Sequence, residues 1–233
     1  MKIGILQTGM APDKMAAQTG EYPEMFERLL AGHGLGFQTY NVLAGEAPTD
    51  PNAADGWLIT GSKYGAYEDH AWIAPLENLI RKIYAAQTPL VGVCFGHQII
   101  AQALGGKVEK FKNGWRIGPT AYQMKGHDDP IVLNAWHQDQ VVELPEDAVV
   151  VGSNDFCEYA MLTYGDKVFT IQAHPEYSDD FIEGLIQHRA KGVVPEDLQK
   201  DAKAQMGQPL HATEMADMFA LLLKQPKAEG GST

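Results

Sequence analysis

Short apolar runs bounded by Gly, Pro or Asp recur along the chain with longer, helically spaced segments between them, and this alternation constrains the fold most. The runs occupy 3–6, 37–42, 57–60, 90–94 and 168–173. Their length and composition suit strands buried on both faces. Segment 22–31 sets Met25, Phe26, Leu29 and Leu30 on one helical face, and segment 73–85 does the same with Leu76, Leu79, Ile80 and Ile83. Strand then helix, repeated, predicts a mainly parallel sheet covered on both sides. From Lys107 to Tyr164 the rhythm changes to short pieces punctuated by turns, such as 131–133 and 149–151, which predict antiparallel strands as an extension of the sheet. After Glu176 two helices are expected, at about 179–190 and 213–223, and positions from about 224 to 233 read as a flexible tail. No repeat of fixed period and no long polar linker divides the chain, so one domain over 1–233 is expected.

Composition narrows the class. The chain has 233 residues, 45% hydrophobic and 21% charged, close to ordinary globular values. Eighteen Lys and Arg against thirty Asp and Glu give a net charge of −12, a field that repels phosphate backbones and anionic lipid, so neither nucleic acid nor membrane is an expected partner. Cys94 and Cys157 alone cannot build a disulfide framework. The opening residues show no basic segment followed by a long apolar run, and a cytoplasmic location is expected.

The chemistry concentrates where a strand meets a helix. Pro89-Leu90-Val91-Gly92-Val93-Cys94-Phe95-Gly96-His97-Gln98 runs from an apolar strand into a helical segment, placing Cys94 at the corner. Gly-x-Cys-x-Gly is the thiol form of a nucleophile elbow, in which Gly92 and Gly96 make room for a tight turn and the nucleophile is held exposed. Unpaired amides at the helix start favour thiolate over thiol. The Phe95 amide is an oxyanion donor candidate. A buried structural cysteine closing a core strand is the alternative.

A thiolate that attacks an amide needs a proton donor for the leaving nitrogen. His174 ends an apolar strand and is followed by Pro175-Glu176. Proline favours an extended preceding residue, and positions i and i+2 of an extended chain share a side, so Glu176 can face and orient the imidazole. In a parallel sheet the carboxyl ends of strands gather on one edge, which can bring His174 to Cys94. Leu58-Ile59-Thr60-Gly61-Ser62 ends another strand at that edge, and the Gly61 amide pairs with that of Phe95 as a candidate oxyanion hole.

These pieces, in this order, resemble the class I glutamine amidotransferases of the Cys-His-Glu type. Gly92 to Gln98 through Ala103-Leu104-Gly105-Gly106-Lys107-Val108 resembles the nucleophile segment of the GMP synthase amidotransferase domain, and Gln172-Ala173-His174-Pro175-Glu176 resembles the family's Gln-Phe-His-Pro-Glu. The resemblance implies a flavodoxin-like α/β three-layer sandwich that hydrolyses glutamine through a γ-glutamyl thioester, without metal or cofactor. By carry-over Cys94 is the nucleophile, His174 the general acid and base, Glu176 its orienter, and Gln98 a contact to the glutamyl group. Trp136-His137-Gln138-Asp139 stands where the family carries Ser-His-Gly-Asp, which makes Trp136 and His137 substrate-contact candidates. The usual Gly-Gly-Pro loop is here Thr60-Gly61-Ser62, and the Ser-Gly-Gly-x-Asp-Ser motif of an ATP-pyrophosphatase region is absent from the sequence. Segment 59–69 also resembles stand-alone plant γ-glutamyl peptidases. Two enzymatic readings follow: glutamine hydrolysis, with ammonia delivered to a separate synthetase subunit, or hydrolysis of other small γ-glutamyl compounds without a partner.

Other motifs carry less. Gly32-His33-Gly34-Leu35-Gly36 follows a helix and precedes a strand, the reverse of a dinucleotide loop, and reads as a helix end and turn. His127-Asp128-Asp129 before Pro130 reads as a solvated turn, Cys157 as structural, and His97 as a packing residue turned from Cys94.

Overall fold

The apolar runs form the strands β1 (Lys2–Gln7), β2 (Gly36–Asn41), β3 (Gly56–Ile59), β4 (Leu90–Val93) and β11 (Val168–Ile171) in a computed structural model that describes residues 1–226. These five strands are parallel, in the order β2-β1-β3-β4-β11. The sheet continues antiparallel from β11 through β10 (Met161–Tyr164), β9 (Ala148–Ser153), β6 (Arg116–Met124) and β7 (Ile131–His137). A separate ribbon pairs β5 (Lys107–Lys110) with β8 (Asp139–Glu143).

Alternation along each parallel strand sends side chains to two helical layers. Ile3, Ile5, Leu58, Val91 and Val93 pack with Phe26 of α2 (Tyr22–Leu29) and Phe219 of α7 (Ala212–Leu223). Leu6, Trp57, Ile59 and Leu90 pack on the opposite face with Leu76 and Ile80 of α3 (Ile73–Ala85) and Ile99 and Ile100 of α4 (Phe95–Ala103). This is the sandwich with a mainly parallel sheet and antiparallel extension that the sequence predicts. Register aligns the carboxyl ends: Ile59 lies beside Gly92, and Ile171 beside Val93.

Strands β3 and β11 end one and two residues before their apolar runs do. Beyond β11 the chain finds new partners: the Gln172 amide donates to the Ala160 carbonyl and the His174 amide to that of Asn134, each at 2.8 Å. The segment carrying His174 is thereby lifted out of the parallel register and pinned to β7.

Three helices, rather than the expected two, follow Glu176: α5 (Asp179–Arg189), α6 (Glu196–Gln205) and α7. Helix α6 buries only Ala202, against Gly118 of β6, so it lacks the apolar stripe that reveals a helix in sequence. Helix α1 (Asp13–Thr19) is hidden for the same reason, since Met15 is its one buried residue. Gly32 and Gly34, both at positive φ, form the expected turn after α2. Of the expected tail, 227–233 lie outside the described residues, whereas the Lys224 and Gln225 amides bond to Ala220 and Leu222, and Pro226 accepts from Lys167 Nζ. No helix of the described residues is long and apolar enough to cross a membrane.

Helix α5 bears on the site because it stands over the carboxyl edge. Ser178 caps it, its hydroxyl accepting from the Phe181 amide at 3.2 Å, with Asp179 and Asp180 in the first turn and His188 and Arg189 in the last, as the helix dipole favours. Ser178→Ala is expected to lower unfolding stability by about 1 kcal/mol, measured by urea denaturation at constant m-value.

Candidate active site

Cys94 occupies the corner between β4 and α4 with φ 53° and ψ −103°, a backbone conformation that a residue with a side chain rarely adopts. Its amide donates to Ile171 of β11 at 2.8 Å and its carbonyl accepts the first helical bond, from Gln98 at 3.0 Å, so the turn is held at both ends. Neither flanking glycine could carry a side chain. A Cβ on Gly96 would stand 2.4 Å from the Ile59 carbonyl oxygen, and one on Gly92 2.5 Å from Ile100 Cδ1. Phe95 opens α4, so its amide has no partner within the helix.

His174 and Glu176 meet in the interior. The Nδ1–H of His174 donates to Glu176 Oε1 at 2.7 Å, with the side chains 2% and 1% exposed. The route differs from the expected extended chain: Pro175 and Glu176 form a turn, closed by the Tyr177 amide on the His174 carbonyl. Burial opposes charge on His174, but Glu176 and then Cys94 outweigh it, and the imidazole pKa is pushed up to about 10. With Nδ1 committed to the carboxylate, Nε2 is the ring nitrogen left free to act on Cys94, the next influence after Glu176 that favours the charged imidazole.

Two residues not singled out in the sequence hold this pair. The Tyr177 ring stacks on the imidazole, 3.9 Å between centroids and 5° between planes, which suits a cationic ring. Asn134 Nδ2 donates to the Tyr177 carbonyl at 3.0 Å and to Asp179 Oδ1 at 3.1 Å, tying the turn to β7 and α5. Nothing in the local pattern around Asn134 marks it. Its role arises from pairing across the sheet.

Gly61 closes the constellation. A Cβ there would lie 2.9 Å from His174 Cε1 and 3.8 Å from Cys94 Cβ, so the loop backbone approaches both side chains. The Thr8 hydroxyl donates to the Thr60 carbonyl at 2.9 Å. Because the peptide is trans, the Gly61 N–H faces away from Thr8.

The three segments border a cavity of about 440 Å³, within the size range of small-molecule sites. Gln98, Trp136 and His137 all line it. Gln98 spends its amide donors on the fold, giving one to the Asp139 carbonyl at 2.9 Å and one to Gln172 Oε1 at 3.1 Å, so only its Oε1 is left to accept from a ligand. Trp136 packs edge-on against Trp115 at 6.2 Å, and both line the cavity. Burial, with His174 adding to it, pushes the His137 pKa down to about 3, so its ring is neutral. The Asp139 carbonyl, 3.3 Å from His137 Nδ1, can only accept, which puts the proton on Nδ1 and leaves Nε2 a bare acceptor without a partner among the described residues.

His97 and Cys157 sit outside the constellation. His97 is buried against the Thr170 hydroxyl at 2.7 Å, and burial holds its pKa at about 3. Burial pushes the Cys157 thiol up to about 12.

Comparison with known proteins gives the family and the fold. The model of the glutamine amidotransferase class-I family matches residues 46–181. γ-Glutamyl peptidase 4 of Arabidopsis thaliana is 32% identical over 204 residues, 80% of each chain, and γ-glutamyl peptidase 3 of the same plant is 31% identical over 182 residues, 72% of this chain and 73% of the peptidase. In fold, the crystal structure of a glutamine amidotransferase from Thermotoga maritima superposes with a TM-score of 0.73 at 21% identity, covering 96% of each chain. The chain belongs to the class I glutamine amidotransferase family.

Proposed function

We propose that the protein hydrolyses γ-glutamyl amide bonds of small compounds through a γ-glutamyl thioester on Cys94. The observation that supports this most is the buried imidazole of His174, held by Glu176 on one nitrogen and facing Cys94 with the other. The Cys94 thiolate attacks the γ-carbonyl carbon, and the carbonyl oxygen becomes an oxyanion received by the Gly61 and Phe95 amides. Such donors are worth about 3–4 kcal/mol each in barrier height. His174 then gives its proton to the leaving nitrogen, the C–N bond breaks, and the amine departs. Water adds to the thioester while His174 takes its proton, glutamate leaves, and Cys94 returns to the thiolate. Glu176 keeps the imidazole in one orientation and favours its charged form. His137, a neutral acceptor, suits the α-ammonium of the glutamyl head, with Gln98 and Trp136 beside it.

Among γ-glutamyl compounds, peptides are favoured over glutamine by the match to γ-glutamyl peptidases, which runs through four-fifths of this chain and of the longer-matching peptidase. Glutamine hydrolysis with ammonia passed to a separate synthetase is the second reading, favoured by the family match over 46–181.

Purified protein alone is expected to release glutamate faster from γ-glutamyl dipeptides than from glutamine. Cys94→Ala is expected to lower kcat/KM on both by a factor on the order of 10³ or more. Undiminished turnover by that variant would refute the mechanism. Iodoacetamide is expected to label Cys94 in the folded protein while Cys157 reacts only on unfolding, which peptide mass mapping reads directly. The proton donor is the imidazolium, so activity is expected to fall as pH rises through about 10. Glu176→Gln removes the leading cause that raises this pKa, and the alkaline limb of kcat/KM is expected to move to lower pH.

A further inference from the structure

A second cavity, of about 260 Å³, adjoins the catalytic one and shares Lys63, Tyr64 and Arg189 with it. Arg189 stands at the junction. Its Nη2 donates to the Met10 carbonyl at 2.9 Å and its Nη1 to the Tyr22 hydroxyl at 3.4 Å, both neutral acceptors. Lys63 Nζ lies 5.1 Å from the centre of the Tyr64 ring. Among the described residues neither cation forms an ion pair, although the chain carries a net charge of −12. Asp13 borders the second cavity but is exposed and reaches neither of them within ion-pair distance.

Elsewhere the catalytic cavity has the opposite character. Asp139 and Glu68 line it, the Tyr67 hydroxyl donates to Asp139 at 3.2 Å, and Lys110 acts electrostatically on both carboxylates. With the neutral acceptor His137 beside them, these groups suit an ammonium. The cavity wall therefore carries acceptors and carboxylates, the Cys94 nucleophile, and, where it meets the second cavity, two cations that form no ion pair among the described residues. A γ-glutamyl peptide offers groups to match: an α-ammonium on the glutamyl head, the scissile amide, and a free carboxylate on the part released.

We propose that Arg189 and Lys63 form a leaving-group subsite that binds the free carboxylate of the amino acid or short peptide released from the γ-glutamyl group. The proposal rests on the hydrolase reading above and names its preferred substrates: γ-glutamyl compounds whose amine portion ends in a carboxylate. Glutamine, which releases only ammonia, leaves the subsite empty. Lys63 lies within residues 46–181 matched by the family model, whereas Arg189, the last residue of α5, lies beyond them. Leu185 and Val193 from the same region line the cavity beside it.

The test compares γ-glutamylglycine with γ-glutamylglycinamide, which share the scissile bond and differ by one negative charge. Wild type is expected to favour the acid by about tenfold in kcat/KM, the scale of one partly exposed charge-assisted hydrogen bond. Arg189→Gln is expected to bring that ratio within about twofold, through a higher KM for the acid, and Arg189→Lys to keep several-fold preference. Because Arg189 also holds the Met10 carbonyl, Lys63→Gln provides a second reading at an exposed position, with a several-fold fall in the same ratio expected. Equal hydrolysis of acid and amide by wild type, or variants that keep the wild-type ratio, would overturn the subsite and leave the hydrolase reading intact. Hydrolysis of neither compound would overturn both.

Discussion

The contact between His174 Nδ1 and Glu176 Oε1, 2.7 Å long and shut away from solvent, is what the rest of the site depends on. An imidazolium buried without a partner is driven to its neutral form by desolvation. Glu176, with Cys94 adding to it, reverses that outcome and raises the imidazole pKa to about 10, which keeps a proton available. The arrangement costs the fold a desolvated ion pair, so the surrounding elements must hold it closely. They do so from three sides: the Asn134 carbonyl accepts from the His174 amide, the Tyr177 ring covers the imidazole, and the Asn134 side chain ties the turn to α5.

The sulfur that faces this pair is placed by a different set of constraints. Cys94 keeps a left-handed backbone at a cost of about 1–3 kcal/mol, and it stays there because Gly96 fits against the Ile59 carbonyl and the Cys94 amide is bonded to β11. β3, β4 and β11 are neighbours in parallel register, so their carboxyl ends reach one edge together. A segment near residue 60, one near 94 and one near 174 thus become a single site with no contact between them in sequence.

Much of this was legible in the residues. The five parallel strands and α3 are readable because burial on both faces leaves uninterrupted apolar runs and a clear helical stripe. Gly92-Val93-Cys94-Phe95-Gly96 is readable because the turn is so tight that substitution by any side chain would collide. The remaining features have no local pattern to show. Helices α1 and α6 bury one side chain each. Tyr177 and Asn134 gain their roles from a sheet pairing between β7 and a segment some forty residues away. Glu176 meets His174 by a turn where the sequence predicts an extended chain, since the chain leaves the sheet at Ile171 and is recaptured by Asn134.

The cavity wall combines acceptors that suit an ammonium with cations that suit a carboxylate, on a strongly acidic chain. The most direct measurement of the central claim is rapid acid quenching during turnover of γ-glutamylglycine, followed by peptide mapping. The account predicts a γ-glutamyl group in thioester linkage on the peptide that carries Cys94, and none on Cys157. Turnover with the Cys94 peptide unmodified at every quench time, or the group found on another residue, would contradict it.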